Sequence, residues 1–232
     1  MPMWHMPGHG VFEKQYSYPY VRDTVTKTFL VKASFIIPIS SFFIFEIFTK
    51  MSPLRSKIFC FLNQITKFAC GILLMLIFGV VLKHVTGVPR PYYNTVCRPN
   101  VNMNEEVSRY PYILNDKDVC ENPDYEAIRS FPSLHAAAVF YNFVYLSCYY
   151  ESRWTLENFV LLKPMLQGAL FLGAIFTSCS RITDYKHHLT DVIVGSVLGV
   201  VSAIFLMVSA TDIFKSLSSI PKTKMKQNEK ID

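Results

Sequence analysis

Charge is scarce in this sequence. Asp, Glu, Lys and Arg make up 17% of its 232 residues, confined to short segments between long uncharged runs. Length alone allows one or two soluble domains, but this distribution argues against them and reads as a polytopic membrane protein. The first 28 residues are polar and aromatic, with no basic segment leading into an apolar stretch, so no cleaved signal peptide is expected. The six cysteines contain no Cys-x-x-Cys spacing, which removes the common zinc and redox motifs. There is no Asn-x-Ser/Thr sequon, so no N-glycan is expected. No lysine cluster with interleaved aromatics occurs, so nucleic acid is not expected as a partner, and the net charge of +6 reads as a topology signal. No cluster of carboxylates suits a hard cation, so neither a metal nor another cofactor is expected. No charge falls in the middle of an apolar run, which argues against a channel or transporter.

Apolar runs are what the chain does have: 51% of it is hydrophobic, with 19 Phe and 13 Tyr. Five runs read as membrane helices. The first covers 29–48, with Lys32 and Glu46 able to snorkel at its ends and a kink expected at Pro38. The second covers 68–82, with a start as early as Ile58, and Lys83 ends it. The third covers 133–150, with a tyrosine-rich end typical of a membrane boundary. The fourth covers 164–179 and the fifth, without a single charge, 192–211. The expected fold class is an all-α, polytopic membrane helix bundle with about five transmembrane helices. Residues 1–28 form a non-cytoplasmic segment, 29–211 the membrane domain, and 212–232 a disordered, lysine-bearing cytoplasmic tail. Gly195 and Gly199 form a small-xxx-small pair that reads as helix packing.

Orientation follows from Lys and Arg. The linker 49–57 carries Lys50, Arg55 and Lys57 with no acid, whereas 84–130 carries seven acids (105, 106, 116, 118, 121, 124, 126) against five bases (90, 98, 109, 117, 129). The positive-inside rule puts the linker and tail in the cytosol and 84–130 in the lumen or outside the cell. That compartment is oxidising, which makes Cys97 and Cys120 candidate disulfide partners, although two cysteines in one loop need not approach within bonding distance.

With five crossings, three polar segments meet the same membrane face: Lys83 to Pro91, Phe131 to His135, and Ser180 to Asp191. Together they bring three cations (Lys83, Arg90, Arg181), a hydroxyl (Ser133), two imidazoles (His135, His187) and a carboxylate (Asp191). With a helix starting near His187, residues 187 and 191 lie one turn apart on one face. Asp191 then holds the imidazole in one tautomer and leaves its other nitrogen free to attack. Three cations match the charge of a phosphate monoester, and His135 can protonate the leaving alkoxide and then activate water. Taken alone, the stretch around His187 also reads as a membrane-surface loop, where His, Lys and Arg are ordinary. His84 and His188 read as interfacial neighbours.

These segments resemble the three signatures of the type-2 phosphatidic acid phosphatase superfamily, K-x6-R-P, P-S-G-H and S-R-x5-H-x3-D, most nearly those of the animal lipid phosphate phosphatases. The resemblance runs from about Val11 to Phe214 and includes Tyr18-Pro19-Tyr20. It implies that Lys83, Arg90, Ser133 and Arg181 bind phosphate, that His187 is the nucleophile, that Asp191 orients it and that His135 is the acid. It also implies a lipid phosphate substrate such as phosphatidate, lysophosphatidate, sphingosine 1-phosphate or ceramide 1-phosphate, and a multi-pass protein of the plasma membrane or endoplasmic reticulum; homo-oligomer formation is left open. The sequence departs from the pattern twice. Leu134 stands where the family has glycine, which can narrow the phosphate pocket or pull Ser133 out of line. Family members usually have six membrane helices, so the chain reads as one that begins after the first. Two rivals therefore stand beside the phosphatase: a non-hydrolytic lipid-phosphate-binding protein, and a lipid phosphotransferase.

Overall fold

The apolar runs become helices because no water in a bilayer can satisfy backbone N–H and C=O groups, so each segment must bond to itself. In the computed structural model, residues 14–48, 53–98, 121–122, 124–154 and 159–218 are described. They contain a 3-10 turn, Lys14–Tyr16, followed by six helices: α1 (Lys27–Phe48), α2 (Leu54–Thr86), α3 (Tyr93–Cys97), α4 (Leu134–Arg153), α5 (Leu162–Thr183) and α6 (Leu189–Ser218). Among the described residues there is no strand. α2 is 33 residues long, about 50 Å at the α-helical rise, so it outreaches the hydrocarbon layer of about 30 Å. It stops at Gly87, whose φ of 57° sends the N–H back to the Lys83 carbonyl.

Among the described residues, four helices are long and apolar enough to cross a membrane: Lys27–Ile47, Leu54–Thr86, Leu162–Thr183 and Leu189–Ser209. α4 is the fifth strut of the bundle, and its sequence is less apolar for a structural reason. It sits in the middle, with Tyr141, Tyr145, Tyr149 and Tyr150 all buried. Each hydroxyl has a neighbour: Tyr141 donates to the Phe68 carbonyl (2.9 Å), Tyr145 to Gln64 (3.3 Å) and Tyr149 to Glu46 (3.4 Å), and Tyr150 pairs with Ser41 (2.9 Å). These tyrosines are bundle core rather than the membrane-boundary belt expected from sequence. α4 nevertheless runs the full height beside α1, since Arg153 meets Glu46 at 3.6 Å and Lys163 meets Glu151 at 2.7 Å at the far end.

The near end gathers the starts of α1, α4 and α6 and the ends of α2 and α5. Gly195 and Gly199 let α6 lie directly on the start of α4: a Cβ at Gly195 would stand 2.3 Å from the Ser133 carbonyl oxygen, and one at Gly199 2.2 Å from that of Ala137. The small-xxx-small pair is therefore a packing device, as read from the sequence. A second, smaller core of Tyr16, Tyr92, Tyr93, Cys97, Ala127 and Ile128 roofs this end. Cys97 is disulfide-bonded, while its expected partner Cys120 lies outside the described residues. α6 continues to Ser218, past the expected tail boundary at 212, and 219–232 lie outside the described residues.

Candidate active site

The loop between α5 and α6 is built by its own backbone. Asp184 N–H bonds to Ser180, and the N–H groups of Lys186 and His187 both donate to the Arg181 carbonyl (3.0 and 3.2 Å). Closing so tight a loop needs one left-handed residue, Tyr185 at φ 54°, a conformation rare for a bulky side chain. Its ring stacks on Tyr18 at 4.6 Å. The next side chain, Lys186, is buried with its ammonium 3.6 Å from the centre of the Tyr20 ring and 4.7 Å from that of Tyr92. Desolvated cation–π contacts of this kind contribute about 2 kcal/mol. The loop thereby folds His187 back into the bundle, where it is 3% exposed.

Asp191 lies in the first turn of α6, where a carboxylate suits the helix dipole. Its Oδ2 accepts the His188 N–H (2.9 Å), faces His188 Nδ1 (3.3 Å), accepts the Ser130 hydroxyl (2.5 Å) and stands 3.7 Å from His187 Nδ1. The one-turn spacing of 187 and 191 thus holds, although the helix starts at Leu189. His188, read from sequence as a neighbour only, shares the same carboxylate. Burial lowers the His187 pKa to about 4; the nearby Asp191 carboxylate opposes this, while Arg90 and Lys83 reinforce it. At neutral pH the imidazole is uncharged, the state a nucleophile requires.

That shift carries a prediction about stability. Between about pH 6.5 and 4 the unfolded chain takes up a proton at this residue and the folded chain does not, so acidification through that window removes stability. The melting temperature of detergent-solubilised protein is expected to fall across it, and to fall less steeply in His187→Asn. Parallel slopes would refute the shift.

Lys83, in the last turn of α2, donates to the carbonyls of Arg129 (2.7 Å) and Ser130 (3.3 Å). Arg90 is fixed by its N–H to the Ala127 carbonyl (2.7 Å) and reaches Glu126 at 3.2 Å. Burial works against the Glu126 carboxylate, but Lys27 and Arg90 outweigh it and hold its pKa below the usual carboxylate value. Among the eight buried side-chain polar atoms of the described residues that have no protein partner, three belong to predicted site residues, Arg90 Nε, Ser133 Oγ and His135 Nε2, and a fourth is His188 Nε2. Orphaned groups of this kind are costly unless a ligand meets them.

Lys83, Arg90, His135 and His187 line one cavity of about 350 Å³. Its other wall is apolar, made by Leu30, Val31 and Phe35 of α1, Ile72, Leu76 and Val80 of α2, and Leu134. Leu134 projects into a notch at Gly79, where a Cβ would stand 2.2 Å from the leucine Cδ2. Ser133 and Arg181 do not line the cavity. Ser133 sits behind it at the start of α4, donating its N–H to the Asp191 carbonyl (3.0 Å).

Arg181, read from sequence as a phosphate-binding cation, is 1% exposed and already engaged by protein groups. Its fork donates to Asp23 (2.8 Å), Asp184 (2.9 Å) and Ser180 Oγ (3.2 and 3.1 Å). Thr24 binds both oxygens of Asp184 (2.8 and 2.7 Å). The segment before α1 is thus pinned across the α5–α6 loop. Asp184 was visible three residues from Arg181, whereas no spacing could announce Asp23, Thr24, Glu126 or Ser130.

The PAP2 superfamily model matches residues 64–215, which include every predicted site residue and most of the 232-residue chain. The chain belongs to the PAP2 superfamily. With the apolar helices above, this makes it a multi-pass integral membrane protein. A Drosophila melanogaster relative named "Putative phosphatidate phosphatase" is 26% identical over 238 aligned residues, covering 90% of this chain and 62% of the relative. A Mus musculus relative named "Phospholipid phosphatase-related protein type 1" is 33% identical over 175, covering 74% of this chain and 52% of the relative. The human type 4 protein of that name is 35% identical over 131, covering 54% of this chain and 17% of the relative. This PAP2 chain therefore spans about half to three-fifths of the length of the first two. No solved structure matches it.

Proposed function

We propose that this chain is a lipid phosphate phosphatase that hydrolyses phosphomonoesters such as phosphatidate, lysophosphatidate, sphingosine 1-phosphate or ceramide 1-phosphate. The observation that carries this reading is the two-sided cavity. Lys83, Arg90 and both imidazoles line it together with an apolar α1–α2 wall, so a phosphate and the start of an acyl chain fit side by side. Each buried methylene adds about 0.8 kcal/mol to binding. The far end of the bundle carries Lys57, Arg153 and Lys163. By the positive-inside rule this supports a site facing the lumen or the cell exterior, in the plasma membrane or endoplasmic reticulum.

In this reading Lys83 and Arg90 hold the phosphate dianion, and no magnesium is required because they supply the positive charge. His187 Nε2, the nitrogen remote from Asp191, attacks phosphorus as the P–O bond to the lipid breaks. His135 gives its proton to the departing alkoxide, then takes one from water as that water attacks the phosphohistidine, releasing inorganic phosphate and regenerating His187. Arg181 reaches an anion only once Asp23 releases it; until then it holds the loop that carries His187. The test is to trap a radiolabelled phosphoenzyme from a short-chain lipid phosphate in detergent without magnesium. Label on His187 together with release of the lipid alcohol is expected, and their joint absence would overturn the reading.

Leu134 and the engaged fork of Arg181 favour a second reading, a protein that binds lipid phosphate without hydrolysing it. Leu134→Gly separates the two. For an enzyme hindered by this side chain the rate rises several-fold, while the emptied Gly79 notch costs about 1–3 kcal/mol of stability. A binding protein stays inactive. Products analysed with and without an acceptor lipid separate hydrolysis from phosphotransfer.

A further inference from the structure

We propose that Ser130 is a positioning residue that fixes the tautomer of His187 by relaying its hydrogen bond to Asp191. The inference rests on the phosphatase reading for its kinetic consequence but not for its geometry. The direct His187 Nδ1 to Asp191 Oδ2 distance is 3.7 Å, beyond hydrogen-bond range. Ser130 Oγ stands nearer the imidazole, at 3.4 Å from Nδ1, and 2.5 Å from Asp191 Oδ2.

A hydroxyl has one proton and two lone pairs. An ionised carboxylate only accepts, so the Ser130 proton points at Asp191, and the short contact is that of a charge-assisted bond. A lone pair of Oγ then faces His187, and Nδ1 must be the protonated nitrogen. That leaves the Nε2 lone pair free for phosphorus. The order of donors is His187 Nδ1–H to Ser130, then Ser130 O–H to Asp191. When Nε2 is phosphorylated the ring becomes cationic, and the same chain stabilises it against the carboxylate.

Ser130 is also held as a fixed point. It is completely buried, its N–H donates to the Val88 carbonyl at 2.8 Å, and its own carbonyl accepts the Lys83 ammonium at 3.3 Å. It lies two residues before Pro132-Ser133. One residue therefore ties the segments carrying Lys83, His135 and Asp191, and nothing in the sequence signatures points to it.

Two measurements test this. The first needs no activity: nitrogen-15 NMR of histidine-labelled, detergent-solubilised protein, with the His187 signals assigned by their loss in His187→Asn. Wild type is expected to show the Nδ1–H tautomer, and Ser130→Ala to shift it toward Nε2–H. The Nε2–H form in wild type, or identical spectra for the two proteins, would overturn the proposal. The second is kinetic. Ser130→Ala is expected to lower kcat about 10- to 100-fold, the usual cost of losing an orienting partner, with KM within threefold, and Ser130→Thr to recover most of the loss. An alanine variant with unchanged kcat, or a threonine variant no better than alanine while both keep the wild-type melting temperature, would also overturn it. An inactive wild type with the expected tautomer refutes the phosphatase reading and leaves the relay standing.

Discussion

Replacing His187 by alanine is expected to lower phosphatidate turnover in magnesium-free detergent micelles by on the order of 10³- to 10⁶-fold, the range over which removal of a catalytic nucleophile falls, and to abolish the trapped phosphoenzyme. Two features of the site make the loss nearly complete. No second nucleophile stands ready: His188 does not line the cavity, and His135 is assigned to proton transfer. Alanine also removes the ring whose neutrality burial secures, so no phosphohistidine can form for His135 and water to resolve. Substrate affinity should change little, because Lys83 and Arg90 remain anchored by backbone groups. The signature is therefore a collapse of kcat with KM nearly unchanged. Equal turnover by wild type and variant would show that phosphate leaves by a route that does not use this imidazole.

The sequence carried the helices well where chemistry repeats and poorly where it is local. Five apolar runs were legible because bilayer thickness sets a length that composition alone reveals. The start of α2 at Leu54 was harder to read, since Asn63, Gln64 and Lys67 interrupt the apolar pattern. Gln64 is explained by Tyr145, whose hydroxyl donates to it, a pairing between residues 81 apart. α3 is five residues long, too short for any periodicity to show. The site divides in the same way. The convergence of Lys83, Arg90, His135, His187 and Asp191 was legible because their segments lie at or beside helix ends that meet. The ion pairs of Arg181 were not legible, because the fold brings Asp23 against it from 158 residues away. Leu134 departs from the resembled pattern in sequence, yet in space it finds Gly79 opposite, so one helix supplies the room that the other fills.

Gly195 tests whether that packing also sets the chemistry. A Cβ there would lie 2.3 Å from the Ser133 carbonyl oxygen, 3.1 Å from its carbonyl carbon and 3.2 Å from its nitrogen. All three are backbone atoms at the start of α4, so no rotamer change can relieve the contact, and α6 itself must withdraw. Asp191 rides on α6 one turn earlier, and its carbonyl accepts the Ser133 N–H at 3.0 Å. Withdrawal therefore separates Asp191 from both Ser133 and Ser130 and shifts His135, two residues after Ser133, relative to His187. Gly195→Ala is expected to cost about 1–3 kcal/mol, the usual range for overpacking, and to lower kcat by at least tenfold; Gly195→Val should prevent accumulation of folded protein. Gly173→Ala on α5 is the control, since nothing lies within 4 Å of a Cβ there and alanine is the better helix former. It should keep full activity and an equal or higher melting temperature. If Gly195→Ala instead behaves like Gly173→Ala, the close approach of α6 to α4 does not hold the catalytic groups in place.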